Sequence, residues 1–136
     1  EKGNGAFLNN TRIRVSNNKK LNDALIVTGG PKQSSKIKKK IFSEYINVSM
    51  QVSNVRKLGS AALDMAYVAS GRFDGYWQRE LNYWDIAAGI IIVKEAGGFI
   101  DFFEEEANLP FKRNIIATNS IIHNKLRDII DKKDIE

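Results

Sequence analysis

The segment that most constrains the fold of this chain is residues 84–98, where a Trp-Asp pair opens a long apolar run and a Gly-Gly pair closes it. The run predicts a helix, in which residues 86–93 (IAAGIIIV) carry no polar side chain. A helix that is apolar nearly all round has to be covered on every side. We therefore predict that this helix lies buried in a larger assembly. The run is far shorter than the roughly 20 residues of a membrane span, so we expect no membrane segment.

Strands and helices alternate along the rest of the chain. Short apolar stretches between turn residues predict strands at 6–8, 11–15, 24–28, 48–55, 73–77, 99–103 and 114–118. Apolar residues at helical spacing predict further helices at 37–46, 61–70 and 120–132, with Ser34 or Ser35 and Ser60 as N-cap candidates. This alternation predicts an α/β fold in which helices cover both faces of a sheet.

Composition narrows the possible sites and partners. The 136 residues include no cysteine, which excludes disulfides and thiolate metal sites. The absence of cysteine fits a reducing compartment, and we expect a cytoplasmic protein. The net charge is +5, but the lysines cluster in turns and on predicted helix faces without interleaved aromatic residues. We expect these lysines to be solvated and expect no direct contact with nucleic acid.

Asp85 is the strongest candidate for chemistry, and two interpretations of it stay open. As an aspartate at a helix N-terminus, it can cap free amides and gain from the helix dipole. Alternatively, Trp84 on one side and a close-packed small-residue helix on the other hold the carboxylate in a fixed direction, which suits a metal ligand. One carboxylate does not hold Mg²⁺ alone, because the ion takes about six oxygens and keeps several waters.

Two other polar segments are candidates for a ligand site. Gly59, Ser60 and Ala61 begin a predicted helix, where free amides and a hydroxyl can meet an anion or a polyol; Ser60 can equally be a plain N-cap. Gln78 lies just before the Trp-Asp pair, either at a strand end where it can contact a sugar-like hydroxyl or in an exposed loop.

The remaining polar groups have simpler interpretations. His123, the only histidine, is expected to be structural or on the surface. The acidic run Glu104, Glu105 and Glu106 is expected to be solvated, because adjacent residues do not converge on one ion. The Asp74-Gly75 pair is most simply a turn.

Several of these segments together resemble one family. The segments 59–64 (GSAALD), 67–75 (YVASGRFDG), 84–89 (WDIAAG) and 95–98 (EAGG) are similar to the C-terminal signature region of the inositol monophosphatase family, most of all to its bacterial SuhB-like branch. Residues 3–9 (GNGAFLN) resemble the family's glycine-rich hairpin, and 114–119 with the last helix resemble its C-terminus. The resemblance covers essentially all of residues 1–136.

This resemblance implies a fold, a reaction and residue roles. The fold would be the α-β-α C-terminal half of the sugar-phosphatase architecture, with a mixed sheet covered by helices. Asp85 would bind an active-site Mg²⁺ near the substrate hydroxyls, and Gly59, Ser60 and Ala61 would line the substrate site. A family glutamate that contacts the inositol ring is replaced here by Gln78, an uncharged hydrogen-bonding group. The reaction would be magnesium-dependent hydrolysis of inositol monophosphate or a similar polyol phosphate.

The family's other metal-binding motifs do not occur in this sequence. A paired-glutamate segment and an Asp-Pro-x-Asp-Gly-Thr motif would precede the matched region, and neither Pro31 nor Pro110 follows an aspartate. We therefore expect a C-terminal half with an incomplete magnesium site, inactive without its N-terminal half. The resemblance also implies a homodimer. It leaves open an alternative role as a SuhB-like interaction partner in bacterial transcription.

Overall fold

The computed structural model describes residues 3–105 and 108–132. Within these residues, seven strands form a two-stranded and a five-stranded sheet. The strands are β1 (Ala6–Leu8), β2 (Thr11–Ile13), β3 (Leu25–Thr28), β4 (Asn54–Arg56), β5 (Gly75–Asn82), β6 (Phe99–Phe102) and β7 (Lys112–Thr118). The helices are α1 (Lys38–Ser49), α2 (Ala61–Ala69), α3 (Tyr83–Glu95) and α4 (His123–Ile130). None of the helices in these ranges has the length and hydropathy of a membrane span.

The larger sheet has the order β4-β3-β5-β7-β6 and is mixed. Strand β3 runs parallel to both β4 and β5, with Ile26 paired to Val55 and to Gly75. Strand β7 runs antiparallel to β5 and β6. Because β3, β4 and β5 are parallel, their carboxyl ends lie at one edge of the sheet. Crevices at such an edge are where α/β folds bind ligands.

Helices cover both faces of this sheet, which confirms the predicted α-β-α layers. Side chains alternate between the faces of a strand. Tyr76 enters the core shared with α2 and α3, whereas Trp77 enters the core shared with α1 and α4. Ile115 and Ile116 of β7 divide in the same way. Two apolar cores, one on each face, therefore hold the layers together.

The apolar helix α3 is buried on one side only. Ile86, Ile90 and Val93 face the core, and Gly89 allows close packing on α2, since a Cβ there would lie 2.7 Å from the Met65 sulfur. On the other side, Trp84 is 63% exposed and Ile91 is 46% exposed. The described chain thus leaves uncovered an apolar face that the sequence predicts to be buried.

Strand β5 continues past the predicted end at residue 77 and contains a bulge between Gln78 and Leu81. Glu80 adopts a left-handed conformation there, with φ of 62°. Asn114 Oδ1 accepts a hydrogen bond from the Glu80 amide at 2.9 Å, and the Ser35 hydroxyl donates to the Glu80 carboxylate at 2.6 Å. A bulge changes which face the following side chains point to. Because Gln78 lies within β5, the interpretation of Gln78 as a residue of an exposed loop is wrong.

Two other predicted boundaries are wrong. The segment predicted as a strand at 48–55 contains the last two residues of α1, where Val48 continues the buried stripe of Ile41, then a turn at 50–53, and is extended only in β4. The last helix begins at His123 rather than Ser120, which has a φ of 73°. Ser34 and Ser35 do not cap α1, since Ile37 occupies the N-cap position and the Ser35 hydroxyl accepts a bond from its amide.

Asp74 and Glu104 lie in surroundings that the sequence did not indicate, whereas the structural position expected for His123 is confirmed. Asp74 is buried and accepts a hydrogen bond from the Leu25 amide at 2.8 Å, so it joins β3 to β5 rather than forming a simple turn. Glu104 is paired with Arg79 rather than merely solvated; Glu106 of the same run lies outside the described residues. His123 is buried, with its Nδ1 2.9 Å from the Thr118 hydroxyl, in a structural position.

Candidate functional site

A cavity of about 420 Å³ opens at the carboxyl edge of the parallel strands. Its walls come from the loop after β3, the strand β5 and the first residues of α2 and α3. The lining residues are Gly29, Gly30, Gly59, Ser60, Ala61, Ala62, Gln78, Leu81 and Asp85. All five predicted site residues therefore line one cavity: Gly59, Ser60, Ala61, Gln78 and Asp85.

The start of α2 forms one wall of the cavity. Ser60 is the N-cap, and its hydroxyl accepts a hydrogen bond from the Leu63 amide at 3.2 Å. Gly59 has a φ of 85°, a conformation that strains any residue with a side chain. The plain capping role and the cavity-lining position are thus compatible, and the turn holds amides and a hydroxyl at the cavity surface.

Gln78 forms the wall on the strand side. The Tyr76 hydroxyl donates a hydrogen bond to its Oε1. The amide also lies directly over Gly29, where an added Cβ would come within 2.3 Å of the Gln78 Cδ. Gly29 follows the last residue of β3, so the loop after one parallel strand supports a side chain of its neighbour. The sequence did not indicate Gly29 as a residue of the site.

Asp85 lies in the first turn of α3, directly after β5, and its side chain is exposed. The N-cap residue Asn82 makes no side-chain capping bond. Within residues 3–105 and 108–132, nothing in the chain donates a hydrogen bond to the Asp85 carboxylate or pairs with it. The carboxylate gains from the helix dipole and is free to bind a ligand from the cavity.

Comparison with known proteins decides the family. The model of the "Inositol monophosphatase family" matches residues 1–133. The chain belongs to this family. It is 42% identical over 132 residues to an inositol-1-monophosphatase of Rhizobium meliloti, covering 97% of this chain and 50% of that protein. It is 40% identical over 123 residues to the Nus factor SuhB of Pseudomonas aeruginosa, covering 88% of this chain and 45% of that protein.

Solved structures agree with the fold. The crystal structure of the extragenic suppressor protein suhB from Bartonella henselae superposes with a TM-score of 0.88 at 45% identity. That alignment covers 97% of this chain and 50% of the other. The chain therefore spans about half the length of the family members that it matches.

The donor set of the cavity fits one side of a magnesium site. Mg²⁺ prefers carboxylate and other oxygens, and Asp85 is the only carboxylate among the lining residues. Among the residues that the structure describes, no group of three or more His, Cys, Asp or Glu side chains could hold a metal ion. Among the described residues that line the cavity, Asp85 could supply one carboxylate ligand to such a site.

A buried carboxylate that the sequence did not indicate as a site residue lies behind the α2 wall. Asp64 is 1% exposed, and neither of its oxygens accepts a hydrogen bond from the described part of the chain. Burial raises the pKa of Asp64 to about 6. Its position one turn after Ser60 is the only sequence signal, and a helix residue at that spacing does not by itself predict burial.

The raised pKa of Asp64 predicts how the folding stability of the chain depends on pH. The folded-state pKa of Asp64, about 6, exceeds its ordinary value of 3.8. The contribution of Asp64 to the free energy of unfolding is therefore full below pH 3.8 and is lost as the pH rises through 6. We expect Asp64→Asn to unfold like the parent chain near pH 4 and to be about 3 kcal/mol more stable above about pH 7. Urea unfolding at both pH values measures this. An equal difference at both, or one shared by the exposed control Asp128→Asn, would contradict it.

A substitution of Gly29 is expected to change the cavity locally. We expect Gly29→Ala to displace the flexible Gln78 amide, because the new Cβ would overlap it, while costing less than about 1 kcal/mol of stability. In the full chain this should shift the side-chain amide resonances of Gln78 away from their positions in the parent protein. Gly30→Ala is the matched control, since its Cβ would meet the Lys57 Nζ, at 3.6 Å, and not Gln78. Equal shifts of the Gln78 resonances in the two variants would refute the role of Gly29.

Proposed function

We propose that this chain is the C-terminal half of a magnesium-dependent phosphatase that hydrolyses inositol monophosphate or a similar polyol phosphate. The observation that carries the proposal is the single cavity lined by Asp85, Ser60 and Gln78. It combines a free carboxylate, a helix start and a neutral hydrogen-bonding side chain. These are the groups needed to bind a cation, an anion and a hydroxyl-bearing ligand.

Each wall of the cavity has a role in this proposal. Asp85 is a magnesium ligand on the side of the leaving alcohol. Gly59, Ser60, Ala61 and Gln78 shape the pocket for that alcohol. When bound, magnesium activates water and stabilises the leaving oxygen. No covalent nucleophile of the protein is needed.

We further propose that residues 1–136 alone release no phosphate. Among the described residues, Asp85 is the only carboxylate on the cavity wall, and one carboxylate leaves most of the magnesium coordination unfilled. The test measures phosphate release from inositol 1-phosphate with Mg²⁺, by this chain alone and after mixing with the N-terminal half of the Rhizobium meliloti relative. We expect release only from the mixture. Turnover by the chain alone would refute the incomplete site; a stable mixture that remains inactive would count against the proposed reaction.

The uncovered face of α3 supports assembly with another half of the fold. Trp84, Ile91 and the neighbouring Leu63 of α2 are exposed apolar residues, and contiguous exposed apolar surface marks an interface. The proposed occupant of this face is the N-terminal half, and the complete protein is proposed to form a homodimer. Light scattering of the mixture against each part alone measures both associations.

A second candidate function comes from the relatives named Nus factor SuhB, from Pseudomonas aeruginosa and, at 37% identity, from Pasteurella multocida. Under this alternative the chain is part of an interaction protein in bacterial transcription. A pull-down with RNA polymerase and transcription factors separates the two functions, using wild type and Asp85→Asn in parallel. Retention of partners by an Asp85→Asn protein that has lost phosphatase activity would show that the two activities are separate.

A further inference from the structure

The orientation of the Gln78 amide is set by its neighbours. Tyr76 and Gln78 lie two residues apart on one face of β5, and the fully buried Tyr76 donates its hydroxyl proton to Gln78 Oε1. Burial raises the pKa of Tyr76, and the charge of Asp64 raises it further. The hydroxyl therefore keeps its proton at neutral pH and remains available as a donor.

The opposite end of the amide carries the Nε2 group, and Gln78 is one of the residues that line the cavity. Gly29 lies flat against it, since a Cβ there would come within 2.3 Å of both Cδ and Nε2. With Oε1 engaged by Tyr76, the Nε2 group remains for a ligand. Within residues 3–105 and 108–132, no atom accepts a hydrogen bond from Nε2, and Nε2 is not among the buried side-chain nitrogens. An amide nitrogen offers two hydrogens and no acceptor.

We propose that Tyr76 is a positioning residue that fixes Gln78 as a hydrogen-bond donor, so that the cavity accepts sugar or polyol phosphates carrying a carboxylate at this wall. The proposal rests on the proposed function for its reaction. A glutamate in place of Gln78 would present only acceptor oxygens and a negative charge there. The neutral donor removes that repulsion and supplies a bond to an anionic oxygen, a stronger class of hydrogen bond than one between neutral groups.

The orientation of the Gln78 amide can be measured without an assay of enzymatic activity. In the isotope-labelled full chain, the Gln78 Nε2 protons, assigned by their loss in Gln78→Glu, should show only weak nuclear Overhauser contacts to the Tyr76 ring. Tyr76→Phe should strengthen these contacts or average them, because it removes the bond that fixes Oε1. Strong contacts in the wild-type chain would mean that Nε2 faces Tyr76, and would overturn the proposal.

The selectivity is tested with a matched pair of substrates, glucose 1-phosphate and glucuronate 1-phosphate, which differ by a hydroxymethyl and a carboxylate group. In the assembled phosphatase, Gln78→Glu should lower the preference for glucuronate 1-phosphate in kcat/KM by about tenfold or more, the worth of one bond to a charged group. Tyr76→Phe should lower it by about threefold, and Tyr45→Phe, on the other face of the sheet, should leave it unchanged. An unchanged preference in Gln78→Glu would overturn the proposed selectivity.

Failure of the proposed reaction can be told apart from failure of the proposed selectivity. If no variant releases phosphate from either sugar, the proposed reaction fails, and ligand binding then decides the inference. Glucuronate 1-phosphate should shift the Gln78 amide resonances of the wild-type protein at lower concentration than glucose 1-phosphate does. Equal shifts from both ligands would reject the donor role of Gln78.

Discussion

Asp85→Asn is expected to lower magnesium-dependent phosphate release by the assembled protein by at least about a hundredfold. An asparagine keeps the shape of the side chain but removes the charge that a hard cation needs, and metal stabilisation of a transition state is worth several kcal/mol. The side chain is exposed and has no partner in the described chain. Its loss should therefore cost only the helix-dipole term, less than about 1 kcal/mol of stability.

The control for this variant is Asp128→Asn, an exposed aspartate on α4 far along the chain from the cavity walls. It should leave both kcat and the unfolding midpoint unchanged. Steady-state kinetics at saturating Mg²⁺ and urea unfolding make the comparison. If Asp85→Asn retained the parental kcat, Asp85 would act only through the helix dipole and would be no metal ligand.

Arg79→Ala is expected to cost about 3–5 kcal/mol of folding free energy, the usual consequence of removing one partner of a buried ion pair. Arg79 and Glu44 have side chains only 3% and 5% exposed, and Arg79 Nε donates to the Glu44 carboxylate at 2.7 Å. Burial already raises the pKa of Glu44, so without Arg79 the carboxylate would be buried and unpaired. The penalty should shrink as the pH falls, because protonation neutralises Glu44.

Two further variants separate pairing from packing. The double variant Arg79→Leu with Glu44→Leu should recover most of the lost stability, because no buried charge remains. Lys40→Ala should cost less than about 1 kcal/mol, since its pair with Glu104 is solvent-exposed. The measurement is guanidinium unfolding of all four proteins. An Arg79→Ala chain within 1 kcal/mol of the parent would show that this pair contributes little.

The layered fold and the cavity walls could be predicted because they depend on local patterns. The apolar run of α3, the Ser60 cap and the Gly59 turn are set by residues next to one another, and each lies where the sequence indicates. The resemblance of the Trp-Asp and Gly-Ser-Ala motifs to the inositol monophosphatase family then implied a shared site. The structure brings these motifs to the edge where β3, β4 and β5 end together.

The features that sequence reasoning missed depend on contacts between distant residues. The bulge in β5 is held by Asn114 and Ser35, which lie 34 and 45 residues from Glu80. The buried pairing of Arg79 depends on Glu44, which lies 35 residues away. The support of Gln78 by Gly29 requires the register of two parallel strands. No local pattern contains this information.

Metal binding at Asp85 can be measured without any turnover. Mn²⁺, used as a paramagnetic probe in place of Mg²⁺, is titrated into the assembled protein while water-proton relaxation and the resonances of the cavity residues are followed. If Asp85 is a ligand, the Ser60 and Gln78 resonances should broaden strongly, and the affinity for Mn²⁺ should fall at least about tenfold in Asp85→Asn. Identical Mn²⁺ binding by the wild type and Asp85→Asn would contradict the assignment of Asp85 as a ligand.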